Sequence, residues 1–170
     1  MSGSVFSPMT AGMQTIEVGW QGNSITVNVN VLPGAPDQIL LSGCTGTVPA
    51  GTTCDVTHVV VDQHGNAMDV GDAGGLTWST TDGNYSESGM TYEADHVGTW
   101  LLSVTSASGA SGSLDIVVGH GAMASLEITA SSLSIPADDL VWLNTTRIDI
   151  RGNRLPVVLP EDNWTRIADG

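Results

Sequence analysis

The sequence predicts an all-β fold, a sandwich of short strands that repeats along the chain. Strand-like runs follow one another with turn residues about every 8 to 12 positions, and helix signals are almost absent. The chain also resembles itself at an offset of 87 positions, the separation of Asp62 and Asp149. A repeat of this length is the size of one small sandwich. Hydrophobic residues make up 41% of the chain, enough for packed cores.

The internal similarity sets the predicted domain boundaries. Two pairs of segments match at 87 positions: Val48-Pro-Ala-Gly51 with Ile135-Pro-Ala-Asp138, and Asp62-Gln-His-Gly-Asn66 with Asp149-Ile-Arg-Gly-Asn153. At an offset of 86, the first thirty residues join the pattern, and Ile16 meets Leu102. We therefore expect one whole repeat, residues 32–118. It is flanked by the C-terminal half of one repeat, residues 1–31, and by the N-terminal half of another, residues 119–170.

The first half repeat predicts a hairpin. Gln14–Val18 is a short strand, and Ser24–Val31 alternates apolar and polar residues with period two, as a half-buried strand does. Gln21-Gly-Asn23 lies between them and supplies residues that tolerate positive φ. The two strands are therefore predicted to pair in an antiparallel manner.

The whole repeat continues with short strands. At Asp62–Asn66 we predict a tight turn in which the aspartate bonds back to the backbone and Gly or Asn adopts the left-handed conformation. Residues 119–170 repeat the opening strands. About seven strands in one repeat are typical of an immunoglobulin-like (Ig-like) sandwich. The predicted strands of the whole repeat are 38–41, 55–61, 67–70, 76–79, 90–92, 99–104 and 113–118.

Several motifs resemble the Ig-like repeats of bacterial and archaeal surface proteins, the invasin and intimin class in particular. They are the Val48–Gly51 turn, Val61-Asp-Gln-His-Gly-Asn66, Leu76-Thr-Trp-Ser79 and Tyr92-Glu-Ala-Asp-His-Val-Gly-Thr-Trp100. The resemblance implies an extracellular or cell-surface module that is stacked in a stalk or spacer, with adhesive tips in some members. It predicts a structural or adhesive role in a fibre, stalk or surface layer.

The charge distribution excludes some classes of partner. The chain has no lysine, its four arginines all follow residue 146, and its formal net charge is −14. Such a chain repels phosphate backbones and anionic lipid surfaces, so no nucleic-acid partner is expected. No apolar run is long enough to cross a bilayer, so membrane insertion is not expected either.

The two cysteines, Cys44 and Cys54, flank the Val48–Gly51 turn. Their counterparts in the next repeat are Ser131 and Val141, so the two cysteines are present or absent together. We predict a disulfide between them, which indicates an oxidising compartment. Two free thiols in the core are the alternative.

No arrangement of residues predicts catalysis. His58, His64, His96 and His120 are scattered, and no His-Glu-x-x-His or Gly-x-Ser-x-Gly motif occurs. The chain is therefore predicted not to be an enzyme.

The alternative function is a carbohydrate-binding or accessory module of a secreted enzyme, with host or surface glycans as partners. Trp78 and Trp164 are expected in the core. Core packing is also the favoured role of Trp20, Trp100 and Trp142, but an exposed pair of them could stack on sugar rings.

Polar side chains offer two further kinds of candidate site. Oxygen ligands suit calcium, and weak candidates are Asp62, Asn66, Asp69, Asp72, Asp138 and Asp139. No known calcium-loop spacing supports them, so turn formation is the expected role and no cofactor is required. Glycosylation sequons begin at Asn84, Asn144 and Asn163.

Half a sandwich leaves apolar faces and unpaired strand edges in water. The connectors at 31–33 and 118–121 are short, so closure of one chain on itself looks strained. We expect residues 119–170 of one copy to be completed by residues 1–31 of another, head to tail, which would give a filament. Adjacent Ig-like repeats of a longer polypeptide would complete the halves equally well.

Overall fold

The computed structural model describes residues 5–82 and 84–160. This part of the chain has fourteen strands, one 3-10 helix at Val70–Ala73 and no α-helix, which confirms the predicted all-β class. No helix in these residues is long and apolar enough to span a membrane. The strands are β1 Gly12–Trp20, β2 Asn23–Val31, β3 Pro36–Gly43, β4 Thr47–Pro49, β5 Thr53–Asp62, β6 Ala67–Met68, β7 Leu76–Thr80, β8 Tyr85–Ser86, β9 Thr91–Glu93, β10 Gly98–Ser106, β11 Ser111–Gly119, β12 Met123–Ala130, β13 Leu143–Asp149 and β14 Arg154–Val157.

The strands pair in three groups. β1 and β2 form a two-stranded hairpin, and β12, β13 and β14 form a three-stranded antiparallel sheet. The other nine strands follow the order β7-β10-β11-β3-β5-β9-β8, with β4 on β11 and β6 on β5. This multi-stranded arrangement is that of the predicted Ig-like sandwich.

The hairpin forms where alternation and turn residues predict it. Gly12 pairs with Val31 at one end and Trp20 with Asn23 at the other. Gln21 and Gly22 between the strands both have positive φ, 49° and 81°. A two-residue turn of this kind matches the right-handed twist of the strands that it joins.

The described chain divides into two compact units, each made of three segments. The first contains residues 5–43, 56–82 and 101–115, and the second contains residues 44–55, 84–100 and 116–160. These units follow spatial contacts rather than sequence offset. The predicted division into repeats at residues 31 and 118 stays a prediction.

The first unit has a core of buried side chains on β3, β5 and β10. Ile39, Val60 and Val104 are each 1% exposed and pack with Ala73 and Ala110. The core depends on a close approach of β11 to β3, because a Cβ on Gly112 would lie 2.0 Å from the Ile39 carbonyl oxygen. Only glycine fits there without moving a strand.

The second unit is packed around Tyr92 and Ile116, both fully buried. β4 runs parallel to the end of β11, with Val48 opposite Val118. The Gly51 amide donates to the Ala94 carbonyl at 2.6 Å, which joins the Val48–Gly51 turn to the segment after β9.

The structure departs from the predicted strands in three places. Thr47–Pro49 forms β4 where a turn was expected, β8 was not predicted, and β6 is shorter than its predicted strand. A strand was expected over residues 67–70, but β6 ends at Met68 and a 3-10 helix begins at Val70. The helix buries Ala73 in the first unit, and Gly74 ends it with a left-handed φ of 81°. Packing of Ala73 therefore replaces the second half of the expected strand.

Candidate functional site

The turn after β5 is built around the carboxylate of Asp62. Its Oδ1 accepts hydrogen bonds from the backbone amides of His64 and Asn66, both at 2.9 Å. Its Oδ2 accepts from the Gly34 amide at 2.7 Å and from the Asn66 side chain at 2.8 Å. The predicted bond back to the backbone is confirmed. Asp62 also holds Gly34, in the connector that leads from β2 to β3.

The side chain of Asn66 then reaches a third segment. Its Oδ1 accepts from the Ala11 amide at 2.8 Å, and its Nδ2 donates to the Met9 carbonyl at 2.8 Å. These two residues precede β1. One carboxylate and one carboxamide therefore tie together the start of the hairpin, the connector and the turn after β5. We call this set, Met9, Ala11, Gly34, Asp62 and Asn66, the first clamp.

The second unit contains the same arrangement around Asp149. Its Oδ2 accepts from the Gly121 amide at 2.9 Å, and its Oδ1 accepts from the amides of Arg151 and Asn153, both at 2.9 Å. The Asn153 side chain donates to the same carboxylate at 3.0 Å. This carboxylate is buried, as that of Asp62 is.

The Asn153 side chain bonds to the segment before β10, as the Asn66 side chain bonds to the segment before β1. We call these two segments the gripped segments. Its Nδ2 donates to the Asp95 carbonyl at 2.8 Å, and its Oδ1 accepts from the Val97 amide at 3.2 Å. We call Asp95, Val97, Gly121, Asp149 and Asn153 the second clamp. Every member has a counterpart in the first clamp, at an offset of 87 for the glycine, aspartate and asparagine and of 86 for the gripped segment.

The turns that carry the clamps share their backbone geometry. Gly65 and Gly152, which precede the two asparagines, have φ of 82° and 84°. A non-glycine residue would be strained there. The repeated Asp-x-x-Gly-Asn pattern therefore specifies a conformation that aims the asparagine side chain at the gripped segment.

Two features belong to the second clamp alone. Arg151 forms ion pairs with Glu93 and, at 3.0 Å from Nε to Oδ1, with Asp95. Its counterpart in the first clamp is His64. The Ile150 side chain lies over Gly51, so closely that a Cβ on Gly51 would be 2.3 Å from the Ile150 Cδ1 atom. The second clamp therefore adds charge and apolar contact to the shared hydrogen bonds.

The hydrogen bonds hold both carboxylates in the ionised form. For Asp62, the bonds from the Asn66 side chain and the Gly34 amide lower the pKa well below its usual range. For Asp149, burial alone raises the pKa, but the bonds from the Gly121 amide and the Asn153 side chain outweigh it and bring the pKa well below its usual range. N–H donors that converge on a carboxylate favour its charged form.

The disulfide prediction is confirmed, because Cys44 and Cys54 are bonded. The bridge joins the end of β3 to the start of β5 across the Val48–Gly51 turn, in the second unit. Cys54 is also paired with Tyr92 of β9. The disulfide therefore fixes the loop that presents Gly51 to Ile150.

The structure brings two of the six calcium candidates together and leaves the other four, Asp69, Asp72, Asp138 and Asp139, on the surface. Asp62 and Asn66 share the first clamp, where four N–H donors already occupy the oxygens of Asp62. Asp138 and Asp139 are exposed, and Asp139 accepts a bond from the Leu140 amide. Within residues 5–82 and 84–160, no group of three or more His, Cys, Asp or Glu residues could hold a metal. The expectation that these residues form turns and that no metal is required stays a prediction.

The glycosylation candidates have different environments. Asn84 is half-buried, and its carbonyl accepts a bond from the Glu93 amide. Asn144 is exposed on β13. Asn163 lies outside the described residues. Of the two that are described, Asn144 has the more accessible side chain, and glycosylation of at least one of the three stays a hypothesis.

Two tryptophans are half-buried and contact histidine residues. Trp78 packs against the core of the first unit and meets His58 edge to face, with 5.5 Å between ring centroids. This agrees with the predicted core position. Trp100 donates from Nε1 to the His96 carbonyl at 2.7 Å. These histidines have structural contacts, as does His120, whose Nδ1 lies 4.0 Å from the Asp149 carboxylate.

Two other tryptophans are exposed. Trp20 and Trp142 are 74% and 75% accessible, and Trp164 lies outside the described residues. The exposure of Trp20 and Trp142 keeps the sugar-stacking alternative open.

Comparison with known proteins shows a shared fold and no close relative. No family model and no curated protein matches the chain. The structure of FdeC, an Escherichia coli adhesin, aligns over 84% of this chain and 52% of its own length, with a TM-score of 0.52 and 21% identity. Domains 4–9 of the surface layer protein SbsC align over 86% of this chain and 25% of their own length, with a TM-score of 0.41 and 19% identity.

At 21% identity the likeness to FdeC establishes the fold alone. The chain spans about half the length of the FdeC structure.

Proposed function

We propose that the chain is a non-catalytic structural or adhesive module of an extracellular fibre, stalk or surface layer, built from consecutive Ig-like repeats. The observation that carries the proposal is the pair of equivalent clamps centred on Asp62 and Asp149. In the proposed division into repeats, each clamp ties the segment before the last two strands of one repeat to the connector and to the turn after β5 or β13 in the next. A stack of like modules needs such a joint, repeated in the same form.

The chemistry of the clamps suits a stiff joint. Neighbouring domains move relative to one another by default when the interface between them is small and polar. Here the connector itself is held, because Gly34 and Gly121 donate their amides to the buried carboxylates. Asn66 and Asn153 then hold the segments that precede β1 and β10, two strands before each connector. A joint in which both the connector and a segment of the preceding repeat are held resists bending.

The fold of FdeC supports the same role. FdeC is an adhesin, and the motifs of this chain resemble those of the invasin and intimin class. The disulfide between Cys44 and Cys54 suits an oxidising, extracellular setting. Partners of the proposed module are adjacent Ig-like repeats or further copies of the chain, assembled head to tail.

The surface grooves favour a non-catalytic role. An open groove of about 600 Å³ in the first unit is lined by residues of β3, β10 and β11. A second groove, of about 860 Å³, is lined by residues 141–146 and 156–159 of the second unit. Neither lining includes an ionisable side chain, whereas enzyme sites gather groups with perturbed pKa values in a cleft.

Small-angle X-ray scattering would test the proposal. We would compare the chain at low concentration with the double variant Asn66→Ala/Asn153→Ala and with Asn144→Ala, which changes an exposed asparagine outside both clamps. The double variant is expected to broaden the distance distribution while circular dichroism shows that the strands remain. An unchanged distribution would mean that the clamps do not fix neighbouring repeats, and the proposal would fail.

Carbohydrate binding is the second candidate function, and Trp142 favours it. Alternation along the chain places Trp142, Asn144 and Thr146 on one face, at the second groove. An exposed indole beside hydrogen-bonding side chains can stack on a sugar ring. The counterpart of Trp142 in the whole repeat is Asp55, which is also exposed, so completion of the half repeat would not cover it. Quenching of tryptophan fluorescence by oligosaccharides, abolished in Trp142→Ala, would establish this function.

A further inference from the structure

Side chains that are buried in the whole repeat have exposed counterparts in both half repeats. Val104 of β10 is 1% exposed, and its counterpart in β1, Val18, is 58% exposed. Ile39 of β3 is 1% exposed, and its counterpart in β12, Leu126, is 46% exposed. In each half repeat, these positions are therefore exposed to solvent, although their counterparts in the whole repeat are buried in a core.

The two exposed faces correspond to two parts of one core. Val104 and Ile39 belong to the same buried cluster of the whole repeat. β1 and β10 have the same length, nine residues, and β12 and β3 have the same length, eight residues. The β1–β2 hairpin therefore supplies the counterparts of core residues that the β12–β14 sheet lacks, and the β12–β14 sheet supplies the counterparts that the hairpin lacks.

We propose that the apolar face of the β1–β2 hairpin of one copy docks on the β12–β14 sheet of a second copy, completing a sandwich between chains. This inference rests on the proposed function and names the partner surface for it. The occupant we propose is a second copy, because this chain carries both of the faces whose counterparts pack together in the whole repeat.

The whole repeat also fixes the register of the docked strands. There β11 runs parallel to β4, with Val118 opposite Val48. The counterparts of this pair are Val31 at the end of β2 and Ile135 after β12. Val48 is 6% exposed whereas Ile135 is 41% exposed. Val31 of one copy is therefore expected beside Ile135 of the next.

At one position, the docked hairpin cannot pack in the same way as β10 and β11 do in the whole repeat. The turn of the hairpin is one residue shorter than the turn between β10 and β11, where the Ser106 amide bonds to the Ala110 carbonyl, so the offset becomes 87 in β2. Gly112 allows β11 to approach β3, and Ile25 stands at the corresponding place in the hairpin. A side chain there would meet the backbone of the facing strand. The docked hairpin therefore pairs through the end of β2 from Val27 to Val31, and its turn splays away from β12.

Docking of this kind is heterologous, since each copy uses a different surface for each neighbour. It adds copies at both ends and does not close by itself. The result is a head-to-tail chain of copies, which extends the proposed stack beyond one polypeptide.

Cross-linking between single-cysteine variants tests the register. Val31→Cys and Ile135→Cys are made in separate chains that keep the native disulfide, and are then mixed and oxidised gently. We expect disulfide-linked heterodimers, with several-fold less product when either variant is oxidised alone. Glu17→Cys mixed with Ile135→Cys is the control, because Glu17 points to the opposite face of β1 from Val18. Equal yield from the control would overturn the proposed register.

Two further measurements separate a second copy from other occupants. Light scattering of the unmodified chain across a concentration series should show mass rising in whole-chain steps. A constant monomer mass together with no heterodimer overturns the inference. So does a Val31→Cys/Ile135→Cys double variant that links only within one chain. Neither result affects the proposed function, which is tested separately by scattering from the clamp variants at low concentration.

Discussion

Asn66 and Asn153, 87 positions apart, make the same pair of backbone hydrogen bonds. Each side chain donates to one carbonyl and accepts from the amide two residues later, Met9 and Ala11 for Asn66, and Asp95 and Val97 for Asn153. A carboxamide matches the donor and acceptor spacing of an extended strand. In both clamps these two hydrogen bonds are made to backbone atoms. The gripped residues can therefore differ between the two clamps while the joint stays the same.

Asn153→Ala should lower the free energy of unfolding by about 1–3 kcal/mol. The substitution removes the bonds of the Asn153 side chain to the Val97 amide, the Asp95 carbonyl and the buried Asp149 carboxylate, and a hydrogen bond to a charged group contributes more than a neutral one. Urea denaturation measures the loss. Hydrogen exchange should accelerate at the Val97 amide. The exposed Asn144→Ala is the matched control, expected within about 0.5 kcal/mol of the parent. Equal effects from both substitutions would contradict a specific role for Asn153.

The sequence was sufficient to predict the fold class, the hairpin and the disulfide. Alternation of Ile25, Val27, Val29 and Val31 reports a half-buried strand directly, because side chains in a strand point to opposite faces in turn. The Asp-x-x-Gly-Asn turns were also legible, since Asp bonds to local backbone and Gly accepts a positive φ.

The clamps could not be predicted from those turns alone. Local rules place the carboxylate of Asp62 but do not say where the Asn66 side chain points, because that depends on a segment 55 residues away. A signal was present in the offset of 86 that relates Met9 to Asp95 and Ala11 to Val97. That offset could be interpreted only once the structure showed that Asn66 and Asn153 bind these two segments.

Acid should destabilise the chain through Asp149 and Asp62. The folded pKa of each carboxyl is depressed below the unfolded value of about 3.9. Their contribution to stability is therefore fully present above that pH and is lost as the pH falls through the folded value. Asp149→Asn should be less stable than the parent at pH 7, and the difference should shrink below about pH 4. Melting temperatures measured across this range check it, and a difference that is constant with pH would contradict it.

Removal of the disulfide should destabilise the fold by about 2–3 kcal/mol, since the bridge closes a short loop and restricts the unfolded chain. The bonded cysteines are 10 residues apart. Cys44→Ala/Cys54→Ala is compared with the parent by urea denaturation, with and without a thiol reductant. The reductant should lower the free energy of unfolding of the parent to that of the variant, and should not change the free energy of unfolding of the variant. A parent that is insensitive to complete reduction would show that the bridge contributes nothing.

Gly51→Ala should lower the free energy of unfolding by about 2–4 kcal/mol, for two reasons that can be separated. Gly51 has a φ of 86°, and an added Cβ would meet the Ile150 side chain at 2.3 Å. Its counterpart Asp138 holds a φ of 70°, so the conformation alone is tolerated. The variant Gly51→Ala/Ile150→Ala should recover only the part of the loss that comes from the Ile150 side chain, because the backbone strain remains.

Gly71→Ala is the control for Gly51→Ala, since Gly71 has an ordinary φ and nothing within 4 Å of the added atom. It should change the stability by no more than about 0.5 kcal/mol. Ile150→Ala alone should also have a small effect, because its side chain is 53% exposed. The double-mutant cycle isolates the coupling between Gly51 and Ile150. If the coupling is zero, Ile150 does not seat on Gly51, and the apolar part of the second clamp is absent in solution.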